Sequence, residues 1–376
     1  MHPADRLSGI ELSLIRQINA LATPLSVNLG IGEPNVVPDA RLREMAERAA
    51  TTPWHYSPNA GALSLRRKLC SNTPFDPKSE VCVTAGTQEG LFSIFTAYVN
   101  PGDEVLVPNP GFVSYATLAK ICGATAVTYA LEAPDWQIDV EALRAKITPK
   151  TKLIVVNSPS NPLGAIVPRE TLAAIAELGP LVVSDEIYRE IWYDAAPASM
   201  LDVMKSDTAR DNVILVNGLS KSHAMTGLRL GWIFAREAVM KPIVTAHQYV
   251  ATCASVFSQA LAEMILDDTA WNESWLAGVR AQFATQREAA LYAIRHELEA
   301  DIAPPAGAFY AFAPVPSCDT IPFAKTLATD AAVLVIPGVA FGSRGEGFIR
   351  ISYAAPVEQI TAGIERVGRF LRASGL

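Results

Sequence analysis

The sequence predicts an α/β protein in two parts. One is a large domain with a mostly parallel central sheet flanked by helices. The other is a smaller α+β domain formed by the C-terminal part and the N-terminal arm. Three observations carry this reading: short β-branched runs alternate with helix-length segments through the middle of the chain, several of those runs are apolar at every position, and the last quarter changes pattern. Strands separated by helices imply parallel pairing with helical crossovers. A strand covered on both faces has no reason to alternate polar with apolar residues.

Taken in order, residues 1–45 are expected to form an N-terminal arm and part of the small domain. The first two dozen alternate charge with apolar residues and lack the continuous apolar core of a signal peptide. Residues 46–275 are assigned to the large domain. Glu80–Thr84 reads as a strand, and Leu91, Ile94, Phe95 and Tyr98 follow at the i, i+3, i+4, i+7 spacing of an amphipathic helix. Glu104–Val107, Ala124–Ala130, Lys152–Val156, Leu181–Ser184 and Val213–Val216 read as further strands, bounded by Pro, Gly, Asn or Ser. Residues 276–376 are assigned to the small domain. A long helical pattern over 273–299 is broken by Pro304 and Pro305; strands over Ala308–Ala313, Ala332–Ile336 and Phe348–Ser352 precede a final helix over 357–371.

Composition narrows the function. Of 376 residues half are hydrophobic and 18% charged, which suits a well-buried globular enzyme and argues against disorder. A net charge of −7 disfavours a nucleic-acid-binding surface, which needs clustered Lys and Arg. No apolar stretch approaches the roughly 18 residues of a membrane span. The five cysteines, Cys70, Cys82, Cys122, Cys253 and Cys318, show neither C-x-x-C pairing nor metal-ligand spacing. They are expected to be reduced thiols in a cytoplasmic protein that holds no metal.

In such sheets ligands bind beyond the carboxyl ends of the strands, so the residues just after each run matter most. After Val216 comes a loop with Ser220 and Lys221, and Arg229 follows eight residues later. A strand-end lysine beside a cation is a plausible Schiff-base amine with a phosphate clamp, although a lone Lys and Arg are more often simply solvated. After Ser184 come Asp185 and Tyr188. A pyridoxal phosphate ring needs such a carboxylate against its nitrogen, while an isolated Asp also serves as a helix cap. After Val156 the loop carries Asn161, an amide able, with Tyr188, to bond a cofactor's phenolic oxygen. Gly86, Thr87 and Gln88 stand between a strand and an amphipathic helix, where free backbone N–H groups make an anion site. No Gly-Lys-Ser/Thr follows, and Gly30-Ile-Gly32-Glu-Pro34 lacks the third glycine of a dinucleotide fingerprint.

These motifs together carry a family resemblance. GEPN, YSPNAG, TAGTQEGL, NPGFVSY, NSPSNPLG, SDEIY, SKSHAMTGLRLGW, GAFY, PGVAFG and FIRISYA occur in the order found in class I/II aminotransferases, which are fold type I pyridoxal-phosphate enzymes. The likeness runs from about Val27 to Leu371. It implies that Lys221 forms the internal aldimine with pyridoxal 5′-phosphate and then shuttles the proton. It implies that Asp185 pairs the ring nitrogen, and that Asn161 and Tyr188 contact the phenolic oxygen. Gly86, Thr87 and Gln88 match the phosphate-cradling helix start, Ser220 and Arg229 match phosphate ligands, and Phe112 matches the ring that stacks on the cofactor face. Arg350 matches the residue that grips the substrate α-carboxylate, and Gly32 a backbone contact to it. Tyr56 corresponds to a tyrosine that reaches the neighbouring subunit's cofactor phosphate, which implies a homodimer.

The residues agree chemically at Arg350. Alternation along Phe348–Ser352 puts residues 348, 350 and 352 on one face, and a guanidinium suits a bidentate carboxylate grip. The sequence departs from the family pattern in two places. Leu163 stands where threonine is usual, and Gly218 where some relatives carry a phosphate-binding serine. His223, close after the lysine, is a weaker acid/base candidate. The expected reaction is ping-pong transamination from an L-amino acid to a 2-oxo acid. A C–S β-lyase, racemase or decarboxylase on the same scaffold stays open, as does a non-catalytic ligand-sensing module. A nicotinamide-dependent oxidoreductase is disfavoured by the missing fingerprint. Phe112, Tyr115, Leu163 and Tyr310 are candidate walls of a pocket for apolar or aromatic side chains.

Overall fold

The computed structural model describes residues 4–316 and 319–375; Cys318 lies outside them. Thirteen strands occur among these residues: β1 (Val27–Asn28), β2 (Val81–Thr84), β3 (Glu104–Asn109), β4 (Thr125–Glu132), β5 (Gln137–Ile138), β6 (Thr151–Asn157), β7 (Leu181–Asp185), β8 (Val213–Gly218), β9 (Gly231–Phe234), β10 (Tyr310–Pro314), β11 (Val333–Leu334), β12 (Ile336–Pro337) and β13 (Phe348–Ser352). Eight of them form the large sheet in the order β2-β9-β8-β7-β6-β3-β4-β5. The run β8-β7-β6-β3-β4 is parallel throughout. β9 is antiparallel to both β2 and β8, and β5 is antiparallel to β4, so the sheet is mixed. β9 is a strand that the sequence reading left unassigned. Its first two residues, Gly231 and Trp232, end the loop-like SKSHAMTGLRLGW motif, and a four-residue strand has too few positions to show a period.

The strand runs that are apolar at every position owe this to cover on both sides. Ile154 and Val156 of β6 belong to one hydrophobic cluster, and Leu153 and Val155 to another on the opposite face. Helix Thr87–Tyr98 buries Leu91, Ile94 and Phe95 against the second cluster, and the Tyr98 hydroxyl donates to the Val239 carbonyl at 2.8 Å. The predicted stripe therefore faces the sheet.

In the C-terminal region β10-β13-β12 form a three-stranded antiparallel sheet, backed by helices Thr269–Glu297 and Thr320–Asp330, while helix Val357–Ser374 packs on β1, β11 and helix Thr269–Glu297. The single strand expected over Ala332–Ile336 is split into β11 and β12. β11 pairs in parallel with β1, which ties the N-terminal segment to this region. Beyond β1, the Ser352 N–H donates to the Leu29 carbonyl at 2.7 Å, carrying residues 29–32 across the carboxyl ends of the large sheet. No helix among the described residues is long and apolar enough to cross a membrane, and none of their His, Cys, Asp and Glu residues cluster as a metal site.

Candidate active site

The parallel strands deliver polar residues to one place. Register sets Asn157 of β6 beside Asp185 of β7, and Asp185 beside Val216 of β8. The Asn157 amide donates to the Asp185 carbonyl at 2.9 Å, and its Oδ1 accepts from the Asn161 N–H at 2.8 Å, pinning the Asn161 loop to the strand ends. Above these ends opens a chamber of about 880 Å³, lined by Asn161, Asp185, Tyr188, Lys221, Arg229 and Arg350 among others. Gly32 and helix Leu14–Asn19 of the N-terminal segment close one side.

Lys221 reaches into this chamber and donates from Nζ to the Gly32 carbonyl at 2.6 Å. Burial first, then the neighbouring Arg350 and Arg229 cations, push its amine down to about 8, although Glu33 and Asp185 oppose the shift. An amine with that acidity exists in quantity as a neutral nucleophile near physiological pH.

Asp185 is fully buried and accepts from the Tyr115 hydroxyl at 2.8 Å and from the Ile187 N–H at 3.2 Å. Burial raises its pKa above the ordinary carboxylate value, while Tyr115, Ile187 and Lys221 pull the other way. A buried carboxylate without a paired cation is held ready for a cationic N–H. Tyr115 is a hydrogen-bond partner of Asp185 that sequence reading placed only as a pocket wall. The contact joins residues 70 positions apart, and no local pattern announces it.

The anion cradle is assembled from two chain segments. Gly86 precedes helix Thr87–Tyr98 at φ +84° and no side chain caps the helix start, so its first N–H groups face the chamber unpaired. A Cβ on Gly86 would lie 2.5 Å from Arg229 Nη2, and one on Gly231 would lie 2.8 Å from the Thr87 nitrogen. Both glycines thus let the Arg229 segment close on the helix start. Arg229 has a left-handed backbone (φ 52°), a strained state for this residue, and its Nη1 donates to the Thr226 carbonyl at 2.8 Å. Gly218 is equally constrained: a Cβ there would meet the Leu230 carbonyl at 2.7 Å. The missing serine at this position therefore has a packing cause.

Arg350 anchors the opposite wall. It sits on β13, the central strand of the three-stranded sheet, and is 1% exposed. Nη1 donates to Asn161 Oδ1 at 2.9 Å and Nη2 donates to the Gly30 carbonyl. The Tyr310 and Phe341 rings flank the guanidinium, 4.5 and 4.9 Å from its central carbon. Nε has no partner, and no carboxylate pairs with this arginine among the described residues. The Tyr188 and Tyr310 hydroxyls share a hydrogen bond of 2.9 Å, a second bridge between the two regions.

Of the remaining expected residues, Thr87, Gln88, Phe112 and Ser220 all line the chamber, as does Tyr310. Phe112 packs edge-on against Tyr115 with ring centroids 5.6 Å apart. A side chain on Gly32 would strike the Tyr310 hydroxyl, so glycine is required there. Tyr56 does not line the chamber of its own chain; it is 86% exposed. Leu163 is buried in the core and forms no part of the chamber wall, which corrects its reading as a pocket residue. His223 also lies away from the chamber. It stacks on Trp275 (10° between planes), its ring nitrogens bond Ser222 and Asn272, and burial pushes it down to about 4. That is a packed, neutral ring.

A mixed sheet flanked by helices, with an amine, a buried carboxylate and an anion cradle at its strand ends, defines a fold type I pyridoxal-phosphate transferase. Residues 26–367 match the family Aminotransferase class I and II, and the chain belongs to that family. It is 32% identical over 99% of its length to an aromatic-amino-acid aminotransferase 2 from Thermococcus litoralis, covering 99% of that protein. It is also 32% identical to an aspartate aminotransferase from Pyrococcus abyssi, with both chains fully covered. Among solved structures, the aspartate aminotransferase from Thermus thermophilus with maleate superposes at a TM-score of 0.91, with 30% identity over 98% of this chain and 99% of that one. The protein is thus a pyridoxal-phosphate-dependent aminotransferase that moves an amino group from an amino acid to a 2-oxo acid. The donor set suits the cofactor: Gly86, where only the absence of a Cβ leaves room beside Arg229, and a buried Asp185 that lacks a cation of its own.

Proposed function

We propose that the chamber is the transamination site and that its residues divide the work as follows. Pyridoxal phosphate, when bound, supplies an aldehyde carbon that takes up the amino group and a ring that accepts the electrons of the broken Cα–H bond. Lys221 Nζ would be the amine that holds the cofactor and the base that takes the proton from the substrate Cα, and its lowered pKa suits both tasks. Asp185, oriented by Tyr115, holds a proton on the ring nitrogen. Asn161 and Tyr188, which line the chamber, would contact the phenolic oxygen, and Phe112 would pack against the ring. The N–H groups of Gly86, Thr87 and Gln88, with Ser220 and Arg229, hold the phosphate.

Arg350, held by Asn161, would grip the substrate α-carboxylate with the Gly32 backbone and so orient the Cα–H bond for proton removal. The observation that carries this reading is the fully buried Arg350 without a counter-anion, facing the same chamber as the Lys221 amine. A buried cation of this kind costs several kcal/mol unless an anion meets it. Ile15, Ile31 and Phe112 on the chamber wall favour an apolar or aromatic substrate side chain. Tyr56, exposed on its own chain, completes the phosphate site of a second copy in a homodimer. A cytoplasmic enzyme accords with the free thiols of Cys70, Cys82, Cys122 and Cys253.

Borohydride reduction of the cofactor-loaded enzyme followed by peptide mapping tests the anchor. The modified peptide should contain Lys221, and an unmodified Lys221 removes the basis of the proposal. A half-reaction screen against single amino acids, aspartate and the aromatic ones included, reads the side-chain preference.

A further inference from the structure

Behind the anion cradle lies a buried carboxylate–imidazole pair that does not line the chamber. Glu89 is the third residue of helix Thr87–Tyr98, and His247 lies on helix Glu237–Ala251 with no exposed surface. His247 Nδ1 is 3.0 Å from both carboxylate oxygens of Glu89. The same carboxylate accepts from the Ser93 hydroxyl at 2.6 Å and from the Ala85 N–H at 3.0 Å. Ala85 immediately precedes Gly86, so this bond reaches back from the first helical turn and fixes the peptide leading into the cradle. The Thr84 hydroxyl donates to the Gly86 carbonyl at 3.1 Å from the other side.

The chemistry of the pair is set by its surroundings. Burial alone would raise the Glu89 carboxyl, but hydrogen bonds from His247, Ser93 and Ala85 outweigh burial and hold it below its ordinary value. The carboxylate is therefore ionised, and Nδ1 must carry the proton that it donates. Nε2 is buried without a hydrogen-bond partner, so among the described residues this ring hydrogen-bonds only the Glu89 carboxylate. A carboxylate in the first turn of a helix competes with a phosphate for the same dipole and the same N–H groups. Neither residue lines the chamber.

We infer that Glu89 and His247 are positioning residues for the phosphate end of the site: Glu89 holds the cradle peptide in shape, and His247 keeps the Glu89 charge engaged so that it does not oppose the phosphate. The inference rests on the proposed role of Gly86, Thr87 and Gln88 as phosphate donors. It predicts an effect that depends on the phosphate group and that is relieved by removing the carboxylate charge.

The test compares release of pyridoxal phosphate and of unphosphorylated pyridoxal from the loaded enzyme, followed by absorbance during dialysis. His247→Phe fills the ring's space and removes its donor, leaving Glu89 buried with an unmet charge. It should speed pyridoxal phosphate release about tenfold, the size expected when a buried charged acceptor loses a donor, with pyridoxal release unchanged. The double variant Glu89→Gln, His247→Phe should recover most of the retention. Equal acceleration for both cofactor forms, or a double variant worse than His247→Phe, overturns the inference and marks the pair as mere packing. Should His247→Phe fail to fold, Glu89→Ala frees the Ala85 N–H and carries the test: faster release of the phosphorylated form alone supports the inference, and any other pattern overturns it. A parent enzyme that releases both forms at one rate removes the cradle assignment itself, and the inference falls with it.

Discussion

Arg229 and Arg350 stand at opposite ends of one chamber, and the protein treats them differently. Arg229 is exposed, emerges from a strained left-handed loop, and works beside a row of backbone N–H groups at a helix start. Arg350 is buried on a central strand, clasped by Tyr310 and Phe341, with Asn161 and the Gly30 carbonyl as its hydrogen-bond partners. In the proposed assignment the first end would spread an anion over many modest donors. The second concentrates the task on one desolvated guanidinium, where the local dielectric is low and each contact counts for more. On the proposed assignment, the difference teaches that a resident phosphate would be held by redundancy, whereas a substrate that must come and go would be selected by a single strong contact.

Substitutions can break or sharpen this contrast. The largest effect should come from Lys221→Ala, between the two ends, which should lower turnover by at least about 10⁴-fold because anchor and base are lost together. Turnover near the parent level would refute the division of labour between the ends. Arg350→Lys should lower kcat/KM by about 10²–10³-fold, since an ammonium cannot reproduce the bidentate grip in a buried site. A drop of less than threefold would show that the carboxylate is bound elsewhere. Arg229→Gln should weaken cofactor affinity about tenfold and leave the amino-acid KM within about twofold, because the N–H row remains. Equal sensitivity of the two arginines would erase the comparison.

Two smaller effects concern the groups between the arginines. Tyr115→Phe removes the hydroxyl that holds Asp185 down, so burial pushes that carboxyl further up. Turnover should fall about threefold to tenfold, and its acid limb should move to higher pH. An unmoved acid limb would separate Asp185 from the rate. Capture of the cofactor by the cofactor-free protein should speed up as pH rises through about 8, where the Lys221 amine loses its proton. The same shift gives a stability signature. The folded state favours the neutral amine, so its stability rises with pH between about 8 and the ordinary 10.5, and replacing Lys221 with Met should flatten that rise in the cofactor-free protein.

Much of this site was legible in the chain. Lys221, Asp185 and Asn161 follow apolar runs whose ends converge by parallel register, so a position along a strand translated directly into a position in the chamber. Gly86 was legible because a strand-to-helix junction exposes N–H groups whatever surrounds it. Tyr115 as the partner of Asp185, and Tyr310 against Arg350, were not legible as such, because each contact joins segments with no local relation. Leu163 was misplaced for the same reason: adjacency to Asn161 in sequence says nothing about which side of a turn faces the cavity. The Glu89–His247 pair joins residues 158 positions apart and leaves no periodic trace.

By itself the sequence determined the alternation of strands and helices, the apolar faces that bury them, and which polar residues sit at strand ends. These follow from short-range sterics and from the solvent's exclusion of apolar surface, both of which are written in neighbouring residues. Only the tertiary structure decided that Arg350 is buried and meets no anion of its own, that Lys221 is desolvated beside two cations, and that Gly86 must lack a side chain to admit Arg229. Those properties are set by the distance and dielectric between groups far apart in the chain, and such quantities exist only once the chain has folded.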